Sequence, residues 1–501
     1  MPLERPGAGH QLAGPLGREQ HEREAVVDEG EAVFDGDAGH WAVPSLRDVG
    51  TAEDKGVFLG GQPRCAGGGR AGGPDPPGPG TISHPRAAPG GRPRALPALY
   101  RQAARGHPPR PEAPMPVVVQ KYGGSSVADV EKMRKVAAKV AATRRSGKDV
   151  CVVVSAMGDT TDELLSLAKR VAAAPPRREL DMLLTAGERI SMALLSMALQ
   201  DQGVDAISFT GSQSGIITTD AHASARIVEV RPYRVQEELA RGKVVIVAGF
   251  QGVSPRKEVT TLGRGGSDTT AVALAAALGG DCEIYSDVAG VFSADPRVVP
   301  GARRLDALSY DEMQELAQAG AKVLNAQAVE FAKEKGIAIH ARSTFGGAEE
   351  TVVRGGTHPE RIAGVATQKE LALLGLPAEA LPAVLERLEG RGAVAAEIAM
   401  PGERAGLVLA LDNVHDWDVL SRALRADVPG IEIADEGLGA VSVVGTGLSA
   451  GHRVLREVTG VLGSLGAPAR ALFTSALRVT AYCDARALPE AARELHRRLI
   501  G

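Results

Sequence analysis

Val117-Val118-Val119-Gln120-Lys121-Tyr122-Gly123-Gly124-Ser125-Ser126 is the stretch on which the reading of this chain turns. Its β-branched apolar start has the character of a buried strand, and two glycines end it. Ser126, with Asp129 three residues on, reads as a capping box. It opens a helix whose apolar positions are Val130, Met133, Ala137 and Val140. The strand thus delivers Lys121 beside free backbone N–H groups and the positive end of a helix. That is an anion site, and the bulky anion most often met in one is phosphate.

The same alternation continues from Met115 to about Phe345. Strand-like runs are expected at 150–154, 206–209, 244–248, 282–286 and 337–341. Helical patterns are expected at 162–173, 182–200, 267–278 and 310–335, the last broken at Gly320. This predicts an α/β domain with a largely parallel central sheet sandwiched by helices. Ligands of such sheets bind beyond the carboxyl ends of the strands.

Four more stretches bear on that edge. Ser155-Ala156-Met157-Gly158-Asp159-Thr160-Thr161-Asp162 ends a strand and leads into a helix, with Thr160 or Thr161 as the plain N-cap reading. Glu188 stands in Thr185-Ala186-Gly187-Glu188-Arg189, either as a surface charge or as a carboxylate turned into the cleft. In Leu262-Gly263-Arg264-Gly265-Gly266-Ser267-Asp268 the glycines allow close backbone approach. Ser267 can cap the next helix there, and Arg264 offers a planar fork for carboxylate or phosphate. No Walker A pattern is present. Ser286-Asp287 ends a strand before a loop carrying Phe292, Asp295 and Arg297, and Asp295-Pro296 equally suits an Asx turn. Lys322 is ambiguous by itself, and His340 in an apolar strand is given no role. Fixed cations, carboxylates and hydroxyls on one sheet edge fit phosphoryl transfer, where catalysis is mainly positioning and charge neutralisation. A carboxylate acceptor is already ionised at neutral pH, so no general base is needed.

A chain of 501 residues suggests two to four domains. With 57 basic against 61 acidic residues the net charge is -4, so no global field recruits nucleic acid or an anionic membrane. Cys65, Cys151, Cys282 and Cys483 lie far apart, which indicates neither a zinc site nor a disulfide framework. No uninterrupted apolar run of about 20 residues occurs and no signal-peptide layout opens the chain, so a cytoplasmic protein is expected. Residues 1–114 are rich in Gly, Pro and Arg without period. They are expected to be a disordered extension, or to lie upstream of the true start at Met115. A linker is expected at 346–362, followed by two small α/β modules at 363–435 and 436–501. Their strands are either separate or interleaved.

The quoted lysine-glycine turn, the stretches 155–162, 185–191, 262–270 and 285–297, and Phe209-Thr210-Gly211-Ser212-Gln213 together resemble the aspartokinase family, actinobacterial type. The resemblance implies the amino-acid kinase fold and transfer of the γ-phosphoryl of ATP, brought with Mg²⁺, to the β-carboxylate of L-aspartate. That reaction opens the route to lysine, diaminopimelate, threonine and methionine. It implies Lys121, with Tyr122, Gly123, Gly124 and Ser155, on the nucleotide phosphates. It also implies Ser286, Asp287, Phe292, Asp295, Arg297 and Lys322 on the nucleotide. Glu188 is implied on the substrate ammonium or in positioning Lys121, and Thr161, Asp162, Glu163, Arg264, Gly265, Gly266, Ser267 and Asp268 on the substrate. No protein metal site is implied. Phe292 stands where the family commonly has Tyr.

The tail resembles the paired ACT modules of that family, through which a homo-oligomer and lysine or threonine sensing are implied. Where an Asp-x-Pro-Gly loop is usual, this chain has Leu376-Pro377-Ala378-Glu379, and Ala395-Ala396-Glu397 replaces a usual Gln-Asn pair. Feedback control is therefore expected to be weakened. Another amino-acid kinase acting on glutamate or acetylglutamate is the alternative enzyme. A non-catalytic effector-binding subunit is the alternative of another class.

Overall fold

The computed structural model describes residues 115–501 apart from 264, 357, 358, 360, 390, 392, 412, 413 and 415. The expectations for residues 1–114, together with Cys65 and Arg264, lie outside the described residues.

The chain enters through β1 (Val117–Tyr122), α1 (Val130–Arg145), β2 (Asp149–Val154), α2 (Thr160–Val171) and the long α3 (Arg177–Asp201). Then come β3 (Ala206–Phe209), β4 (Ile216–Thr218), β5 (Ile227–Val230), α4 (Tyr233–Ala240), β6 (Val244–Ala248), β7 (Gln251–Val253) and β8 (Val259–Thr261). The domain closes with α5 (Gly266–Leu278), β9 (Asp281–Ser286), β10 (Ala307–Ser309), α6 (Tyr310–Gln318), α7 (Ala326–Lys335), β11 (Ile339–Ser343) and β12 (Glu350–Arg354). Eight strands form one sheet in the order β10-β12-β11-β9-β1-β2-β6-β3. Its neighbours run parallel except β11 and β12.

Side-chain alternation divides the core in two. Val119, Cys151, Val153, Val245 and Val247 face α4, α5 and α7, whereas Val118, Val150, Val152, Val154, Val244 and Ile246 face α1 and α3. Each fully buried valine contributes about 1.5–3 kcal/mol of apolar burial. The central strands therefore read as continuous apolar runs, as buried parallel strands should. The second layer also explains α3. It is long and apolar enough to cross a membrane, but Leu180, Leu184, Leu195 and Leu199 are buried within the fold.

Several local expectations change. Asp129, not Ser126, caps α1 through the Lys132 amide, while Ser126 Oγ lies 2.6 Å from Thr344 Oγ1. Val130 is therefore an exposed first-turn residue rather than part of the apolar face. Neither Thr160 nor Thr161 caps α2, whose N-cap is Asp159 without a side-chain bond. Ser267 does not cap α5; left-handed Gly265 does, without a side-chain bond, and Ser267 lies buried inside the helix. The proposed break is present, with α6 ending at Gln318 and Gly320 at φ 104°. The stretch read as linker contains β12, whose Thr351 and Val353 are fully buried between β10 and β11. Glycines on both sides had hidden its short alternation. The four-stranded sheet β5-β4-β7-β8 was not anticipated either, because three- and four-residue strands carry little period.

The tail holds two further four-stranded sheets. β14 (Leu371–Pro377), α8 (Leu381–Glu389), β15 (Ala395–Ala399), β16 (Arg404–Ala410), α9 (Trp417–Asp427) and β17 (Glu432–Ala434) build one module, in strand order β15-β16-β14-β17. β18 (Leu438–Gly445), α10 (Arg453–Ser464), β19 (Ala471–Thr474), β20 (Arg478–Asp484) and α11 (Leu488–Leu499) build the other. Its fourth strand is β13 (Ile362–Gln368), which precedes the first module in sequence yet pairs with β18, so the modules interleave. Arg478 bridges Glu315 of α6 and the buried Glu397 of β15, at 2.9 and 2.8 Å. Burial raises the Glu397 carboxyl above its ordinary range, and Arg478 opposes that rise.

Candidate active site

β1 lies at the centre of the sheet, with β2 on one side and β9 on the other. The chain leaves β1 toward β2, β6 and β3, and later returns to β9 on the opposite flank. A cleft therefore opens at the carboxyl end of β1. Strand parity decides which way Lys121 points. Val119 and Lys121 share the face toward α5, while Gln120 and Tyr122 share the face toward α1.

Lys121 consequently meets the first turn of α5. Its Nζ lies 2.7 Å from Asp268 Oδ1, a close ion contact without aligned hydrogen-bond geometry. Asp268 Oδ2 accepts from the Asn325 backbone N–H at 3.2 Å. Both side chains of the pair are largely buried. Asp268, expected to touch substrate, is in contact with Lys121.

The glycine turn is held from two sides. Gly123 N–H donates to Tyr285 O, and the Gly158 amide donates to Gly124 O at 3.1 Å. A Cβ on Gly124 would come within 2.9 Å of Ala156 O, so a side chain has no room there. Tyr122 and Tyr285 stack at 4.8 Å beneath this turn. Burial pushes both hydroxyls above their ordinary range.

Glu188 comes up from α3 on the other wall. Helical spacing puts Asp181, Leu184, Thr185 and Glu188 on one inward face, all buried. Glu188 Oε1 accepts from the Ala156 amide at 3.2 Å, and its buried Oε2 has no hydrogen-bond partner among the described residues. Burial pushes its carboxyl up to about 7. Such an orphaned buried oxygen is suited to a cationic ligand group. α3 reaches this position because Gly187 presses on Ala156, where a Cβ would lie 2.7 Å from the alanine methyl.

The remaining expected residues divide into two sets. Thr161, Asp162 and Glu163 occupy the first turn of α2, just beyond the Ser155–Ala156 bend. Gly265, Gly266 and Ser267 begin α5 beside Lys121's partner, and a Cβ on Gly249 would meet Ser267 Oγ at 2.6 Å. On the other side, Ser286 Oγ accepts from the Val288 amide and Asp287 is exposed. The Asp295–Arg297 pair closes on itself. Arg297 donates through its backbone N–H and its guanidinium to the Asp295 carboxylate, which is the Asx turn, and the guanidinium holds that carboxyl below its usual range. Phe292 is half-buried and Lys322 is exposed between α6 and α7. Among the described residues no group of three or more His, Cys, Asp or Glu could hold a metal.

Three features escape the sequence pattern. Phe250 has φ 68°, a strained backbone for an aromatic residue, and its N–H donates to Thr270 Oγ1 in α5. The flanking Gly249 and Gly252 are the available signal. Buried Asp181 accepts from Thr261 Oγ1 at 2.5 Å and from the Ala223 amide, and lies 2.7 Å from His222 Nδ1. This ties the β4–β5 loop to the strand feeding the glycine loop. Asn325 supplies the amide on Asp268 and accepts from Gln327 and Ala328 to cap α7; only its position before a helix marks it.

Residues 116–343 match the Amino acid kinase family. The chain is 45% identical over 411 residues to the aspartokinase of Mycobacterium tuberculosis, covering 76% of this chain and 96% of that one. It is 43% identical over 408 residues to the aspartokinase of Corynebacterium glutamicum, with the same shares. Among solved structures, Escherichia coli aspartokinase III with aspartate and ADP in its R-state superposes with a TM-score of 0.68 at 25% identity. That match covers 77% of this chain and all of the other. The same enzyme with lysine and aspartate in its T-state gives 0.60.

Proposed function

This chain belongs to the aspartokinase family and transfers the γ-phosphoryl of ATP to the β-carboxylate of L-aspartate, and from that premise we propose how its residues divide the work. Lys121, the Gly123–Gly124 amides and Ser155 take the transferring phosphoryl group and its neighbour, with Tyr122 supporting the turn. The single observation that carries this is the Lys121–Asp268 pair, because it points a fixed cation along the carboxyl edge of the central strand. Asp268 acts by holding Lys121 rather than by binding substrate.

Glu188 receives the ammonium of aspartate on its unpartnered Oε2. The substrate's carboxylates lie against Thr161 and the Arg264–Ser267 loop, where Gly265, Gly266 and the start of α5 offer backbone N–H groups and a positive helix end. Asp162 and Glu163 border that pocket. Ser286, Asp287, Phe292, Asp295, Arg297 and Lys322 take the nucleoside side, Phe292 offering a stacking face without a hydroxyl. Mg²⁺, brought with the nucleotide as part of the substrate, would supply further neutralisation of phosphate charge. The attacking carboxylate is ionised at neutral pH, so the residues orient and neutralise and no proton is removed.

The domain division proposed is a kinase domain from 115 through β12, followed by two ACT-like modules, the second of which takes β13 from ahead of the first. We place the enzyme in the cytoplasm as a homo-oligomer joined through those modules. Weakened lysine or threonine control is part of the proposal, because Glu397 is already engaged by Arg478.

The test is hydroxamate formation from L-aspartate, MgATP and hydroxylamine by the full chain, with Lys121→Ala as control. Lys121-dependent product is expected. Equal product from the variant would refute the role given to Lys121. No product from aspartate, but product from glutamate or its N-acetyl derivative, would move the substrate.

A further inference from the structure

The loop that follows Asp287 does not rest only on the kinase domain. Ala294 and Val299 are buried in the same apolar cluster as Val365, Val441, Val458, Leu462 and Leu495, the core of the second small module. The loop therefore contributes to two structures at once. Phe292, Asp295 and Arg297, read above as nucleotide residues, are half-buried or exposed on it, and Ala294 and Val299 complete a core made by β13, β18, α10 and α11.

Hydrogen bonds tie the same loop to the last helix. Ser293 Oγ lies 2.8 Å from His496 Nε2, across 203 residues of sequence, and both side chains are buried. The Arg303 amide donates to Ser293 Oγ at 2.9 Å, so the hydroxyl proton is free to go to the imidazole. Burial and the nearby Arg303 charge lower the His496 pKa, which keeps the ring neutral and able to accept that proton. Ser293's own peptide is equally engaged: its N–H donates to Arg303 O, and Val365 N–H of β13 donates to Ser293 O. Farther along, Arg493 Nε donates to Val298 O at 2.9 Å, and Arg303 Nη2 donates to Ile500 O at 2.7 Å. α11 thus grips both ends of the segment 293–303.

We propose that His496, acting through Ser293, is a positioning residue for the nucleotide: the last helix of the chain sets the loop that bears Phe292, Asp295 and Arg297. This rests on the reading of that loop as part of the nucleotide site and deepens it. A hydroxyl anchored on two sides cannot rotate without losing a buried bond, so the backbone of its neighbour Phe292 is held in one place. Changes in the second module reach the nucleotide through this contact rather than through the aspartate side, because none of these bonds touches Glu188 or the 262–268 loop.

Steady-state kinetics on the full chain test it, with Ser293→Ala, His496→Gln and the double variant. Either single change is expected to raise KM for MgATP about 5-fold, the scale of one lost buried hydrogen bond, with KM for aspartate within about 2-fold of the parent. The double variant is expected to be no worse than Ser293→Ala, since that change already removes the contact His496→Gln would break, along with the acceptor for the Arg303 amide. Unchanged KM for MgATP in Ser293→Ala, equal rises in both KM values, or additive effects in the double variant would each overturn the proposal. Ser293→Ala removes one atom and carries the test if His496→Gln does not fold. Asp287→Asn and Arg297→Ala separate the two levels. If neither alters KM for MgATP, the nucleotide reading fails; if they do and Ser293→Ala does not, only the positioning role fails.

Discussion

Replacing Glu188 by Gln separates the electrostatics of the site from its shape. The carboxyl stands at about 7 in the fold against 4.5 for an unhindered glutamate, chiefly because burial disfavours the charge. At about 1.4 kcal/mol per pH unit, that gap is worth about 3 kcal/mol. Because the folded pKa is raised, the folded protein keeps a proton that the unfolded chain has released between about pH 4.5 and 7. Stability from this group therefore falls as pH rises through that window and is level above it. Glutamine carries no such penalty and still accepts the Ala156 amide through its oxygen. Urea unfolding of both proteins without ligands, at pH 4.5 and pH 8, should show the variant gaining about 3 kcal/mol on the parent between the two. Turnover should move the other way: without a carboxylate for the ammonium, kcat/KM for aspartate should drop roughly 10- to 150-fold, the range for a charged hydrogen bond. A stability difference that is the same at both pH values within about 0.5 kcal/mol would refute the buried, uncompensated carboxylate. Unchanged kcat/KM would refute its contact with substrate.

Three further outcomes are expected. Lys121→Ala should lower kcat by about 100- to 1,000-fold and destabilise the fold by leaving Asp268 buried without its cation; adding Asp268→Asn should recover stability without recovering turnover, as read by thermal melts and kinetics on both variants. Gly265→Ala should weaken aspartate binding and lower the melting temperature, since φ is 74° there and a Cβ would clash with the side-chain carboxamide of Asn325; an unchanged KM for aspartate would count against the proposed placement of substrate beside that loop. Millimolar lysine plus threonine should change initial rates by less than about 2-fold, a small effect on any binding scale, and strong inhibition would show that the effector sites survive their altered residues.

Local pattern in this chain determined the path of the backbone well. Apolar runs ending in glycine or hydroxyl residues mark strands at the centre of the sheet, and the turn after β1 was legible because a lysine followed by two glycines has few other uses. Asp268 and Ser286 lie at the helix start and strand end where the pattern put them, whereas Glu188 lies in the middle of α3, where pattern alone left a surface charge open. Pattern could not say what those residues touch. Asp268 was expected on substrate, and only the packing of α5 on the Lys121 face of β1 adds its contact with the lysine. Strand parity over the whole sheet decides that contact, not spacing in sequence. Short strands were lost for a related reason: β12 is five residues bracketed by glycines, and its burial comes from β10 and β11 rather than from its own period.

The tail shows the same limit at larger scale. Two strand–helix repeats were visible from their apolar spacing, but nothing local assigns β13 to the second sheet. That choice is made by the pairing of Val365 with Val443 across the interleaved modules. Sequence alone therefore determined the family, the fold class and the chemistry-bearing turns, because these depend on residue types within a few positions of one another. Tertiary structure decided that Lys121 is held by Asp268, that Glu188 keeps a buried oxygen unpaired among the described residues, and that His496 reaches the loop of Phe292. Those contacts join residues far apart along the chain, and burial and strand parity, which no short window contains, set their energies.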